Sequence, residues 1–174
     1  SWLTGRKQIM SELPEFVLDR VFDAPQEMVW RTWTDPELLA RWYGPGVETI
    51  IHKFDLEPGG LWLGEMKWGD KSMLSKVVFQ EVTPTEKLTW LHSSCDAEWN
   101  VISNPMMPDW PQTILTIVTL EQRGQKTHLR LTWIPHEASE AEIACFSGSV
   151  ENMGKGWGSG FAIIDEILVE LQAG

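Results

Sequence analysis

The chain has 174 residues, 43% hydrophobic and 22% charged, with a formal net charge of −11. That length suits one domain burying about 70% of the surface its unfolded chain exposes, with the composition of an ordinary globular protein. The acidic average field repels nucleic acids and anionic membranes, Lys53, Lys67, Lys71 and Lys76 are scattered, and no stretch approaches the roughly 20 apolar residues of a membrane span.

Ser1 to Met10 carries Arg6 and Lys7 but no apolar run behind them, so it does not read as a secretory signal. Met10 is a candidate natural start, which makes residues 1–13 an N-terminal extension and 14–174 a single domain. Phe16 to Phe22 predicts a strand, with Leu18 and Phe22 on one face and Asp19 on the other. Asp23 is expected to cap a short helix over about 25–33, with Pro25 in its first turn and Gln26 at capping-box spacing. Val29 and Trp33 then share a side. Asp35-Pro36 opens a second helix that carries Leu38, Leu39 and Trp42 inward, and Gly44-Pro45-Gly46 stops it.

From Glu48 to Pro135 the hydrophobic period is two. Strands are predicted over 48–57, 61–68, 73–83, 87–93, 112–122 and 127–134. The turns Pro58-Gly59-Gly60, Gly69-Asp70-Lys71, Pro84-Thr85-Glu86 and Arg123-Gly124-Gln125 are too short for parallel crossovers, so the sheet is antiparallel. Trp62, Gly64, Met66 and Trp68 share one face, as do Leu88, Trp90 and His92, and Leu129, Leu131 and Trp133. The 112–122 strand is apolar on both faces, and its parity stays open. Ser94 to Pro111 has three prolines and no strand period; Met106, Met107 and Trp110 mark it as a candidate lid.

After Pro135 the pattern is helical. Ser139 caps an acidic first turn, and Trp157, Phe161, Ile164, Leu168 and Leu171 form an apolar stripe. Five glycines between Gly148 and Gly160 each cost such a helix about 1 kcal/mol relative to Ala. Close backbone approach to the sheet is the expected compensation, with a break into helices at about 139–152 and 155–172 as the alternative. The layout is α+β.

Several segments together resemble a known family. They are Arg20-x-Phe22-x-Ala24-Pro25, Val29-Trp30-x-x-Trp33-Thr34-Asp35-Pro36, Trp42-Tyr43-Gly44-Pro45, Pro58-Gly59-Gly60, Glu81-Val82-x-Pro84-x-Glu86-Lys87-Leu88 and Gly156-Trp157-Gly158. Over about residues 14–172 the chain is similar to the domain named for the activator of heat-shock protein 90 ATPase, within the SRPBCC superfamily. The resemblance implies a START-like helix-grip fold: a curved antiparallel sheet wrapped around a long C-terminal helix, two short helices after the first strand, and a hydrophobic cavity between sheet and helix.

Neither composition nor motif supplies obvious chemistry. His92-x-x-Cys95-Asp96 is the only local metal candidate and is too sparse for a cage, so no metal is expected. Glycine frames starting at Gly154, Gly156 and Gly158 reach Ser159, Phe161 and Ile163 where a dinucleotide loop needs Gly or Ala, and no cofactor is expected. His52, His128 and His136 fall at strand positions or just past one, where a surface or hydrogen-bonded role is usual. Cys95 and Cys145 are widely spaced and read as reduced thiols of a cytoplasmic protein. The expected cavity lining is Trp62, Met66, Trp90, His92, Trp133, Met153, Trp157 and Phe161, almost wholly apolar. The leading expectation is a non-enzymatic domain holding a hydrophobic small molecule: lipid, aromatic or polyketide-like. A cyclase- or hydrolase-like enzyme using His92 and a co-chaperone-like domain that docks on a protein partner remain the alternatives.

Overall fold

The computed structural model describes residues 13–174, so the reading of Met10 as a start lies outside the described residues. Strand β1 (Phe16–Phe22) leads into α1 (Gln26–Thr34) and α2 (Pro36–Trp42). Seven more strands follow: β2 (Glu48–Phe54), β3 (Leu61–Trp68), β4 (Lys71–Thr83), β5 (Lys87–Cys95), β6 (Val101–Ile102), β7 (Thr113–Arg123) and β8 (Lys126–Pro135). The chain closes with α3 (Glu140–Ser147) and α4 (Val150–Ala173). The strands make one antiparallel sheet in the order β1-β8-β7-β5-β4-β3-β2, with β6 pairing the end of β5. The α+β fold and its long C-terminal helix are as expected.

Most elements fall where periodicity and turn chemistry put them. Asp35 caps α2 by accepting from the Glu37 amide, and Ser139 and Glu142 form a reciprocal capping box on α3. The Pro58-Gly59-Gly60 turn is held by the Gly59 amide on the Phe79 carbonyl and the Phe79 amide on that of Gly60. A Cβ at Gly60 would stand 2.1 Å from the Asp55 carbonyl oxygen, so no other residue fits there.

Four expectations are corrected. The N-cap of α1 is Pro25, not Asp23, and no side chain caps it. Gln26 instead reaches across the molecule: its side-chain amide donates to the Thr85 carbonyl and its backbone N–H donates to Gln122 Oε1. The segment after Ser94 is not free of strand, because β5 runs on to Cys95 and pairs with Val101–Ile102 through a tight turn closed on Asp96. The terminal helix breaks at Gly148-Ser149 rather than between 152 and 155, so α4 runs unbroken through Gly154, Gly156, Gly158 and Gly160. Finally, the close backbone approach is to α2, not to the sheet. A Cβ at Gly160 would lie 3.2 Å from both Trp42 Cε3 and the Trp42 carbonyl oxygen, whereas Cβ atoms at Gly156 and Gly158 would meet nothing within 4 Å.

The core fills the space between the inner sheet face and the helices. Phe22, Phe79, Trp90, Val118, Leu129 and Leu131 from the sheet meet Trp33, Leu39 and Trp42 from α1 and α2, and Phe161, Ile164 and Ile167 from α4. On β7, Ile114, Thr116, Val118 and Leu120 point inward, which settles the parity that two apolar faces left open. Arg20 pairs with Asp165 and Arg41 with Glu170, tying β1 and α2 to α4. All four side chains are substantially exposed, so each pair contributes little beyond orientation.

Gly160→Ala should destabilise the protein by about 1–2 kcal/mol, because the rigid Trp42 carbonyl outweighs the gain of about 1 kcal/mol in helix propensity. Gly158→Ala, with open space around its Cβ, should stabilise by about 0.5–1 kcal/mol. Urea unfolding of both variants is the measurement; equal stabilisation by the two would mean that α2 and α4 are not locked together.

Candidate functional site

The core does not fill the whole interval between sheet and α4. Where α2 ends, the interior opens into a pocket of about 280 Å³. Met153, Gly156, Trp157 and Gly160 of α4 form one wall, and Met66, Met73, Ser75, His92 and Ser94 of β3, β4 and β5 form the opposite one. Trp133 of β8 closes the side, and Trp42, Tyr43, Gly44 and Pro45 stand at the helix end of α2. Asn104 and Trp110 reach in from the segment between β6 and β7. None of these sixteen lining residues is Asp, Glu, Lys or Arg.

The aromatic wall is built by contacts between distant parts of the chain. The Trp157 ring lies edge-on to Trp133 at 5.3 Å and to Tyr43 at 5.8 Å, and stacks with Trp33 at 5.9 Å and 17°. Trp42 backs this cluster, and its indole N–H donates to the Thr32 carbonyl over 2.6 Å. Offset and edge-on pairs of this kind contribute roughly 0.5–1.5 kcal/mol each beyond their burial. Trp110 joins Trp133 and Phe146, which anchors the β6–β7 segment over the pocket.

The sheet wall has a polar strip. Ser75 of β4 is paired in register with Ser94 of β5, and His92 stands two residues before Ser94, opposite Val77. Strand alternation therefore puts Ser75, His92 and Ser94 on one face. None of these three side chains, nor the Tyr43 hydroxyl, hydrogen-bonds to another described residue. Burial pushes the His92 imidazole down to about 4 and raises the Tyr43 phenol, so both are uncharged at neutral pH.

Of the expected lining residues, Met66, His92, Trp133, Met153 and Trp157 stand around this pocket. Trp62, Trp90 and Phe161 do not; they are buried in the solid core beside it. Among the lid candidates only Trp110 reaches the pocket. Met106 and Met107 are exposed, and Met106 lines a neighbouring cleft of about 460 Å³ that shares Met73 and Ser94 with the pocket. Tyr43, Ser75, Ser94 and Gly156 were not foreseen. Strand parity extended from His92 would have found Ser94, and the β4–β5 register then finds Ser75; Tyr43 gives no such signal, because its motif reads as a helix stop.

The remaining histidines serve the outer surface. His52 bonds Glu65 at 2.8 Å and His128 bonds Asp19 at 2.7 Å, where Arg130 also donates and holds the Asp19 carboxyl below its ordinary range. His92 and Cys95, three apart on one strand, face opposite sides, and among the described residues no three His, Cys, Asp or Glu side chains converge as a metal would require. Among the same residues no helix is long and apolar enough to cross a membrane.

The displaced imidazole gives a pH test. An unfolded-chain histidine titrates near 6.5, so between about pH 6.5 and 4 the unfolded state binds a proton that the folded state refuses. The stability held by neutral His92 is complete above that window and is lost as pH falls through it, by about 3 kcal/mol in all. His92→Gln should flatten this part of the acid dependence, read as the urea midpoint of variant and parent between pH 7 and 4. Parallel profiles would mean that the imidazole is solvated.

Comparison with known proteins follows the same outline. Residues 23–169 match the family described as activator of Hsp90 ATPase homolog 1-like protein. Among solved structures, a protein from Arthrobacter aurescens is 21% identical with a TM-score of 0.77, covering 91% of this chain and 88% of its own. One from Mycobacterium smegmatis is 22% identical with a TM-score of 0.71, covering 88% and 90%. One from Nitrosomonas europaea is 23% identical with a TM-score of 0.68, covering 94% and 99%. These likenesses establish the fold. No curated protein matches the chain.

Proposed function

The chain belongs to the family of activator of Hsp90 ATPase homolog 1-like proteins, and on that premise we propose that it is a binding domain that holds a hydrophobic small molecule between its sheet and α4. One observation carries this reading: a pocket of about 280 Å³ walled by Trp, Tyr and Met side chains with no charged residue on its lining. Apolar concave sites with a few placed polar groups are the usual form of small-molecule sites. Thioethers such as Met66, Met73 and Met153 adapt their shape to a guest at little cost. The β6–β7 segment, held down through Trp110, stands at the mouth of the pocket, and the domain works in the cytoplasm with its two cysteines reduced.

A dye tests the pocket directly. Prodan, an uncharged, solvatochromic two-ring naphthalene ketone, should bind with a blue-shifted emission. Gly156→Phe should abolish that binding with little loss of stability, because a side chain at this position enters free space on the pocket wall. Trp157→Ala should cost about 3 kcal/mol of stability, as truncation of a buried aromatic does, and should shift the dye affinity by enlarging the site. If Gly156→Phe binds the dye like the parent, the dye is elsewhere and the pocket is not the site.

A second reading has its own support. The family description names an activator of an ATPase, and α3 and α4 present Glu140, Glu151, Glu166 and Glu170 to solvent. In this co-chaperone-like role the acidic helical face would dock on a protein partner. Adding the domain to the heat-shock protein 90 homologue of the same cell should then raise ATP hydrolysis, and an unchanged rate removes the reading. His92 supports an enzymatic role less well, since among the described residues no side chain orients its ring as a general base requires.

A further inference from the structure

The polar strip narrows the class of guest. Resting on the reading of the pocket as a small-molecule site, we propose that the guest is an uncharged, flat molecule of about two rings carrying one hydroxyl or carbonyl group, and that this group docks on Ser75, Ser94 and His92.

Size comes first. An apolar cavity of about 150 Å³ accommodates a benzene ring, and the volume here is about 280 Å³. Two fused or linked rings match it, and a long acyl chain or a four-ring skeleton would have to extend out of it toward the neighbouring cleft that shares Met73 and Ser94. Shape follows from the walls: Trp133 and Trp157 meet edge to face at 5.3 Å and offer flat surfaces to a flat guest.

Charge is set by what the lining lacks. Neither sign of ionised side chain touches the pocket, so a carboxylate or ammonium would lose its hydration without a counter-charge. The net charge of −11 adds a long-range penalty for an anion.

The polar group is set by what the lining has. Ser75 and Ser94 are register partners on β4 and β5, with His92 beside them on the same strand face, and none of the three side chains is hydrogen-bonded to another described residue. Each hydroxyl both donates and accepts, and a neutral imidazole offers one donor and one acceptor. A guest hydroxyl or carbonyl satisfies that set, whereas a pure hydrocarbon leaves all three unpaired against an apolar surface. The β4–β5 pairing places the strip on the sheet wall, opposite Gly156 and Trp157, so the guest's polar end points at the sheet and its rings lie along α4.

Displacement of prodan by naphthalene, 2-naphthol and 2-naphthoate at pH 7 tests this. The expected order is 2-naphthol tightest, naphthalene weaker by about fivefold or more, and 2-naphthoate weakest. In a Ser75→Ala, Ser94→Ala, His92→Phe variant, 2-naphthol should fall to the level of naphthalene while naphthalene keeps its affinity. Equal binding of naphthalene and 2-naphthol by the parent, or tightest binding of 2-naphthoate, overturns the inference and leaves the pocket reading standing. Failure of the parent to bind any probe overturns both. Should the triple variant not fold, the parent series alone decides, with His92→Gln and Ser94→Ala tested singly.

Discussion

Everything in this molecule turns on the contact between Trp42 and Gly160. A Cβ at Gly160 would lie only 3.2 Å from the Trp42 indole and carbonyl oxygen, and the indole N–H is satisfied by the Thr32 carbonyl. The contact brings the C-terminal helix against the two short helices that follow the first strand. The space left under that helix is solid with Trp90, Phe79 and Phe161 on one side and open on the other.

Two features that look like weaknesses in the sequence follow from this. Four glycines within a 24-residue helix sacrifice intrinsic stability, yet only Gly160 is required by a close approach. Gly156 leaves part of the pocket wall bare, so that the helix presents backbone rather than bulk there. The abundance of tryptophan has a related cause. Trp33, Trp42, Trp133 and Trp157 are large rigid bodies that meet edge to face or, for Trp33 and Trp157, stacked, and such a framework keeps a void open where flexible aliphatic side chains would collapse into it.

The polar strip shows the same separation of roles. Ser93, one residue from the strip, bonds Thr113 on the opposite sheet face, whereas Ser75, His92 and Ser94 face inward with no described partner. These three side chains are half-buried and line the pocket, so their free hydrogen-bonding groups are turned toward its interior. The Asp19, His128 and Arg130 group on the outer face is paired within itself and serves the sheet surface.

The sequence by itself determined the elements and their faces. Alternation in β3, β5 and β8, the Asp35 and Ser139 caps, the turn glycines and the terminal stripe all reflect local geometry, where each residue's preference is expressed within a few neighbours. His92, Trp133, Met153 and Trp157 were legible as inward-facing for that reason. What only the tertiary structure decided is which inward residues meet each other and which meet empty space. Trp62, Trp90 and Phe161 share the parity of the pocket residues but lie where the helices press against the sheet, so they pack as core. Tyr43 and Ser75 reach the pocket through the placement of α2 and the register of β4 on β5, which no local pattern encodes. The break at Gly148-Ser149 and the parity of β7 were also settled tertiarily, because five glycines, or a strand apolar on both faces, admit more than one local answer until a neighbour selects one.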